Sequence, residues 1–252
     1  MGSAVCAAVA ADATLELVAA VDQRRSEGSA RSVEGIEIAD QLHALADAEC
    51  EVVVDFTVAE AARTTLPWLG MHGMHAVVGT TGFTADDLAL FESTFGGDAK
   101  EPGTPNCLIA PNFAISAVLM MRFAEMAAPW FDTAEVVELH HMRKLDAPSG
   151  TAVTTIERMA AARETDFQDD PTETEIYPGA RGGVGPRNIR AHAIRMEGMV
   201  AHQEVILGAV GQTITIRQDS YDRSSFMPGV VLACQRIGQH SGLVLSLDPY
   251  LT

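Results

Sequence analysis

Apolar and polar positions follow two alternating periods along the first half of the chain. Short β-rich runs at residues 15–21, 51–56, 75–79 and 107–110 predict strands, and helical spacing at 38–48, 59–70, 85–95 and 114–131 predicts helices between or after them. Strand and helix in turn require crossover connections and a parallel sheet covered on both faces, so this half reads as a doubly wound α/β domain. From Ala134 the pattern changes. A strand at 134–141 runs into a loop and a helix at 151–162, then a polar Gly- and Pro-bearing stretch at 164–188, then three strand-like runs near 191–195, 202–209 and 213–218. Strands crowded around one helix predict a second, α+β domain. A last helix at 224–238 and a strand-like tail at 243–247 return to the first domain. The expected boundaries are therefore 1–114 plus 224–252 for the first domain and 115–223 for the second.

Composition narrows the partners. At 252 residues and 47% hydrophobic the chain has ample core, and no uncharged apolar run approaches the ~18 residues that a membrane span needs. A formal net charge of −17 speaks against nucleic acid and anionic membrane, while small anions remain admissible because a few cations in one cleft suffice to bind them. There are only two lysines, Lys100 and Lys144, which makes the place of each informative. Cys6, Cys50, Cys107 and Cys234 lie far apart without zinc-like spacing and read as buried thiols of a reducing compartment. The small-residue run at the start carries no basic residue before Arg24, which argues against a signal peptide, and a cytoplasmic protein is expected.

Ligands of open parallel sheets bind beyond the carboxyl ends of the strands, so those ends are the first candidates. The first predicted strand ends in Asp22, an acid placed to accept both hydroxyls of an adenosine ribose, with Gln23, Arg24 and Arg25 behind it to meet a 2′-phosphate. Another runs into Gly79, Thr80, Thr81 and Gly82, small residues against which a dinucleotide can lie. The next ends in Ala110, Pro111, Asn112 and Phe113. Each turn alone reads equally well as an ordinary βα connection; three at successive strand ends point to a nucleotide.

The densest chemistry lies in ELHHMRKLDAPSGT, residues 138–151. His140, His141, Arg143 and Lys144 leave the end of a strand, and Asp146-Ala-Pro-Ser-Gly-Thr opens a helix. The N–H groups of that helix start, with the hydroxyls of Ser149 and Thr151, form an anion cradle facing the cations, which suits a small carboxylate-bearing substrate. A histidine beside it can move a proton near neutral pH. A metal site from His140 and His141 is disfavoured because strand neighbours point to opposite faces and no third ligand is evident. A Ser149 nucleophile lacks a G-x-S-x-G elbow. His192, His202 and His240 read as structural, His43, His72 and His75 as surface or helix-end residues, and Met120, Met121 and Met126 as core.

Six strings, VVDFT (53–57), VVGTTGF (77–83), IAPNFAI (109–115), ELHHMRKLDAPSGTA, GMVAHQEVILG (198–208) and DSYDRSSFMPGVVLA (219–233), occur here in one order. In that order they resemble the 4-hydroxy-tetrahydrodipicolinate (dihydrodipicolinate) reductase family of the diaminopimelate route to lysine, over nearly the whole chain. The HH-x-x-K-x-D-A-P-S-G-T string is the most specific of them. The resemblance implies a Rossmann-like domain with a second domain of mixed, mostly antiparallel sheet, and a cytoplasmic homotetramer assembled through that sheet. It further implies NADH- or NADPH-dependent reduction of a cyclic imine dicarboxylate with loss of water. It places proton transfer on His140 and Lys144, substrate carboxylates on His141, Gly150 and Thr151, and cofactor on Asp22, Gly79, Thr80, Thr81, Ala110, Pro111, Asn112 and Phe113. Where the family commonly has Arg to grip a 2′-phosphate, this chain has Gln23.

The family opens with a strand and a G-x-x-G-R-M-G loop, and this chain opens at Met1-Gly2-Ser3, of which Met1-Gly2 resemble the last two residues of that loop. The expectation is that coding sequence upstream of Met1 supplies the strand and glycines. An alternative is an impaired member that binds diacids or full-length subunits.

Overall fold

The computed structural model describes residues 1–23, 30–96 and 104–251. The chain runs α1 (Gly2–Ala11), β1 (Ala20–Val21), β2 (Ser32–Val33), β3 (Ile36–Ala39), α2 (His43–Asp47), β4 (Val52–Asp55), α3 (Ala59–Met71), β5 (His75–Val78), α4 (Ala85–Thr94) and β6 (Cys107–Ile109). It continues through α5 (Ile115–Ala127), β7 (Thr133–His140), α6 (Gly150–Ala161), β8 (Gly183–Val184), β9 (Arg190–Arg195), β10 (Ala201–Ala209), β11 (Gln212–Ser220), α7 (Met227–Arg236) and β12 (Leu243–Val244). Two compact units result: unit 1 is Met1–Ala114 with Arg223–Thr252, and unit 2 is Ile115–Asp222.

In unit 1 a four-stranded parallel sheet has the order β12-β6-β5-β4, and β1-β3-β2 form a separate small sheet. The expected Rossmann-like parallel sheet is present, and among the described residues β1 pairs with β3 in the small sheet while β4 forms an edge of the larger one. Both contribute to one core. Leu66 and Leu69 of α3, Val78 of β5 and Phe91 of α4 are buried together, and Val21 of β1, Val53 of β4 and Leu42 pack against them. Strand β5 is buried at Ala76, Val77 and Val78 in succession, as a strand covered on both faces must be. Helix α4 starts with a capping box: Asp87 N–H donates to the Thr84 hydroxyl (3.2 Å) and Thr84 N–H to the Asp87 carboxylate (2.7 Å). The same carboxylate accepts both ends of the Arg63 fork from α3 at 2.9 Å.

The helix predicted at 38–48 is corrected. Ile36–Ala39 is a strand paired with β2, and only His43–Asp47 is helical. The two-residue connection explains it: Glu34 and Gly35 both have positive φ (46° and 82°), the backbone that joins twisted antiparallel strands tightly. The first predicted strand also contracts, from 15–21 to Ala20–Val21.

Unit 2 is a five-stranded mixed sheet of order β11-β10-β7-β9-β8 with α5 and α6 packed against it. Only β7–β9 is parallel; β10–β11, β10–β7 and β8–β9 are antiparallel. Along β7 the burial alternates, with Ala134, Val136 and Glu138 buried. The two apolar members join Val205 and Leu207 of β10 and Ile156 and Met159 of α6 in one core. Met120 and Met121 are buried as expected, but Met126 is 68% exposed, on the far side of α5. Cys107 and Cys234 are buried, whereas Cys6 and Cys50 are only half-buried. No helix among the described residues is long and apolar enough to cross a membrane.

Candidate active site

The carboxyl ends of β4 and β5 in unit 1 are tied together by one buried acid. Asp55, at the last position of β4, accepts from Thr57 N–H (2.8 Å), the Thr57 hydroxyl (2.7 Å) and the Thr80 hydroxyl (3.1 Å). Thr80 is 4% exposed, its hydroxyl taken up by Asp55. Thr81 and Gly82 are exposed, Gly82 at φ 90°. At Gly79 a Cβ would lie 2.1 Å from the Phe56 ring, so glycine is what lets that ring reach Phe113, 5.5 Å away between centroids. Val78 and Ile109 pair in register, which sets Gly79–Thr81 beside Ala110–Asn112. Ala110 is buried and Pro111 exposed, and Asn112 closes its turn by accepting from Ala114 N–H (2.8 Å). Two of the three predicted cofactor turns therefore lie side by side. Asp22 follows β1 on the small sheet, its N–H donating to Ala39 O (2.9 Å), and Gln23 is exposed. Arg24, Arg25 and Lys100 lie outside the described residues.

In unit 2 the chemistry gathers at the end of β7. Glu138, 1% exposed, accepts four hydrogen bonds. Arg195 of β9 donates to both carboxylate oxygens at 2.7 Å, His140 Nδ1 lies 2.5 Å from Oε2, and Ser149 N–H donates to Oε1 (3.0 Å). His140 stands on the same face two residues on, with 14% of its side chain exposed. Burial pushes its imidazole below its ordinary value, Glu138 pulls it up, and Lys144 and Arg195 push it down, with a net lowering. For Glu138, burial works to raise the carboxyl pKa, but the Arg195 and His140 hydrogen bonds outweigh it and hold the group ionised.

Ser149 caps α6 by accepting from Ala152 N–H (3.3 Å), and behind it Thr155 donates to Thr151 O (2.7 Å) while accepting from Gln203 of β10 (2.8 Å). Gly150 is exposed and Thr151 half-buried at the first two positions of the helix. His141 is exposed, one residue beyond the strand. A turn closed by Lys144 N–H to His141 O (3.1 Å) brings Lys144 back, and its ammonium pairs with Asp146 at 2.9 Å. That ion pair holds the Asp146 carboxyl below the usual range.

Residues 1–113 match the family model described as dihydrodipicolinate reductase, N-terminus, and residues 116–251 match the corresponding C-terminus model. The chain belongs to the dihydrodipicolinate reductase family. It is 48% identical over 254 residues to the 4-hydroxy-tetrahydrodipicolinate reductase of Corynebacterium diphtheriae, and equally so to that of Nocardia farcinica. Each comparison covers 100% of this chain and 94% of the relative. The fold is similar to a dipicolinate-bound dihydrodipicolinate reductase from Paenisporosarcina sp. TG-14, with a TM-score of 0.85 and 34% identity over 98% of this chain and 94% of that one. Reductases of this family use a pyridine nucleotide, and strand-end turns such as those after β5 and β6, the first of them glycine-bearing, are where open parallel sheets take ligands.

Sequence reasoning missed Asp55, Glu138, Arg195 and the pairing of Lys144 with Asp146. Glu138 carried a usable signal, an acid two residues before a histidine on a predicted strand and hence on the same face. Arg195 lies 57 residues away from it in the chain, and only the parallel pairing of His140 with Arg195 brings the two together. His192 and His202 are satisfied structurally, by Glu135 (2.6 Å) and Asp219 (2.7 Å). His75 is a strand residue that accepts from Asn106 N–H (2.8 Å), where a surface or helix-end position was expected.

Proposed function

We propose that the chain reduces 4-hydroxy-tetrahydrodipicolinate to tetrahydrodipicolinate, consuming NADH or NADPH and one proton and releasing water, in lysine biosynthesis through diaminopimelate. The observation that carries this reading is the joining of His140 to the capped start of α6 within unit 2, through Glu138. It stands beside a similar solved reductase that holds dipicolinate, a flat ring with two carboxylates.

A bound pyridine nucleotide would supply the hydride. Its residues would be Asp22 at the ribose, and Gly79, Thr80, Thr81 and Ala110 to Phe113 along the two turns. Glycine at position 79 keeps that turn free of a side chain. On the substrate side, the N–H groups of Gly150 and Thr151 and the side chain of His141 receive the carboxylates, in line with the preference of helix starts for anions. Lys144 joins them by exchanging its partner Asp146 for a substrate carboxylate, which keeps the ammonium neutralised throughout. His140 delivers the proton to the carbon that becomes negative on reduction, with Lys144 assisting, and the ring loses its 4-hydroxyl as water. The protein's share is alignment and charge neutralisation. A homotetramer formed through the outer face of the unit 2 sheet, in the cytoplasm, completes the reading.

Activity is tested by following oxidation of each reduced nicotinamide with enzymatically generated substrate. Gln23 in place of arginine makes the ratio of the two rates the measure of cofactor preference. Turnover with neither nicotinamide would overturn the proposal.

A further inference from the structure

Glu138 has no role in the proton transfer assigned above, yet its surroundings are those of a group that sets the chemistry of its neighbour. A carboxylate held ionised is an acceptor only, so the 2.5 Å contact requires His140 to donate through Nδ1. The other proton-exchanging position of the ring is then Nε2. The same carboxylate takes the Ser149 N–H at 3.0 Å, and Arg195, which forks onto both oxygens, also donates to the main chain at Asp146 (2.7 Å). One buried anion thus touches the imidazole and the residue that caps α6. Its counter-cation reaches the loop that carries Lys144.

We propose that Glu138 is the positioning residue of the reaction: it holds His140 in the tautomer that carries hydrogen on Nδ1, with Nε2 as the atom that exchanges the proton, and it fixes that ring relative to the start of α6. An ion pair serving stability alone would need only the Arg195 fork; the bonds to His140 and Ser149 are what a positioning role adds. The proposal rests on the reading of His140 as the proton-transfer group, and its test contains a measurement that does not depend on that reading.

Glu138→Gln is the informative change. A glutamine has one acceptor oxygen for donors that now bind two. With that oxygen kept toward Arg195 and Ser149, the amide N–H faces His140 Nδ1, which must become an acceptor, and the ring proton moves to Nε2. Nitrogen-15 NMR of the His140 ring in the purified full chain is expected to show hydrogen on Nδ1 in the unsubstituted protein and on Nε2 in Glu138→Gln. With turnover established, kcat is expected to fall about 100-fold or more, the usual worth of a positioned proton-transfer group, while KM moves by less than about threefold. The limb of the kcat profile that belongs to His140 shifts to lower pH, because the carboxylate that favours the charged ring is gone while Lys144 and Arg195 remain. In a His140→Gln background, Glu138→Gln is expected to lower kcat little further, since two residues acting through one step are not additive.

Glu138→Asp, which keeps both acceptors, is expected to retain the Nδ1-protonated ring and to recover part of kcat; it also serves if the glutamine variant does not fold. A ring found protonated on Nε2 in the unsubstituted protein overturns the positioning role whatever the activity. So does a glutamine variant that folds with unchanged tautomer and unchanged kcat. Absence of turnover together with the expected tautomers would instead overturn the assigned reaction and leave the positioning of His140 standing.

Discussion

Removing Arg195 leaves a carboxylate that is 1% exposed without its counter-cation, and the consequence can be worked from the structure. Arg195→Met deletes two bonds of 2.7 Å to Glu138 together with those to Asp146 O and Ile194 O, while Glu138 keeps His140 and the Ser149 N–H. Breaking a buried ion pair from one side costs about 3–5 kcal/mol, and the two remaining donors place this case near about 3 kcal/mol. For a chain of this size that is a fall of roughly 6–12 °C in Tm. The double variant Glu138→Leu/Arg195→Met removes the stranded charge and is expected to recover most of the loss.

The effect of pH has a definite sign. Glu138 is held ionised in the intact protein, so its contribution is present above the unfolded carboxyl pKa and fades as pH falls through the lower folded value. In Arg195→Met, burial is left with much less opposition and the carboxyl binds a proton more readily on folding. The gap between the two proteins should therefore be widest near neutrality and shrink as pH falls toward the carboxyl range. Urea unfolding of the single and double variants across that range measures it. A single variant as stable as the parent, or a double variant no better than the single, would refute the reasoning.

Other outcomes follow from the same geometry. His140→Gln and Lys144→Ala are expected to lower kcat more than they raise KM in steady-state assays; a series in which only KM moved would assign both side chains to binding. In the intact enzyme the kcat limb governed by His140 should fall below the ordinary imidazole pKa, because burial outweighs the pull of Glu138. Gly79→Ala would drive a methyl to 2.1 Å from the Phe56 ring, and calorimetric titration should show weakened nicotinamide nucleotide binding with little change in affinity for dipicolinate. Asp55→Ala frees Thr57 and Thr80 together, and nucleotide affinity should fall by a similar route.

Much of this was legible in the sequence because local pattern and tertiary fold agree. Strands β4 to β7 and helices α3 to α6 fall within a few residues of the predicted runs. Where local cues conflicted, the reading failed. Ile36 and Ile38 alternate as a strand, but the Ala- and Leu-rich residues that follow favour helix, and the Glu34–Gly35 turn that decides the matter is a weaker hairpin signal than Asn-Gly. The HH-x-x-K string and the Ser-Gly-Thr helix start pointed to the candidate site, since each is a local arrangement. Arg195 could not be found that way, nor could the bond from Thr80 to Asp55: both depend on partners met only when distant strands and turns come together.

Strand β7 carries both the packing of unit 2 and the candidate imidazole on alternate residues of one face, Ala134 and Val136 first, Glu138 and His140 after them. A shift of pairing by a single position would send all four to the opposite side at once. Mutation can thus retune the coupled Glu138–His140 pair in place, but it cannot slide the imidazole to a new address without also emptying the core.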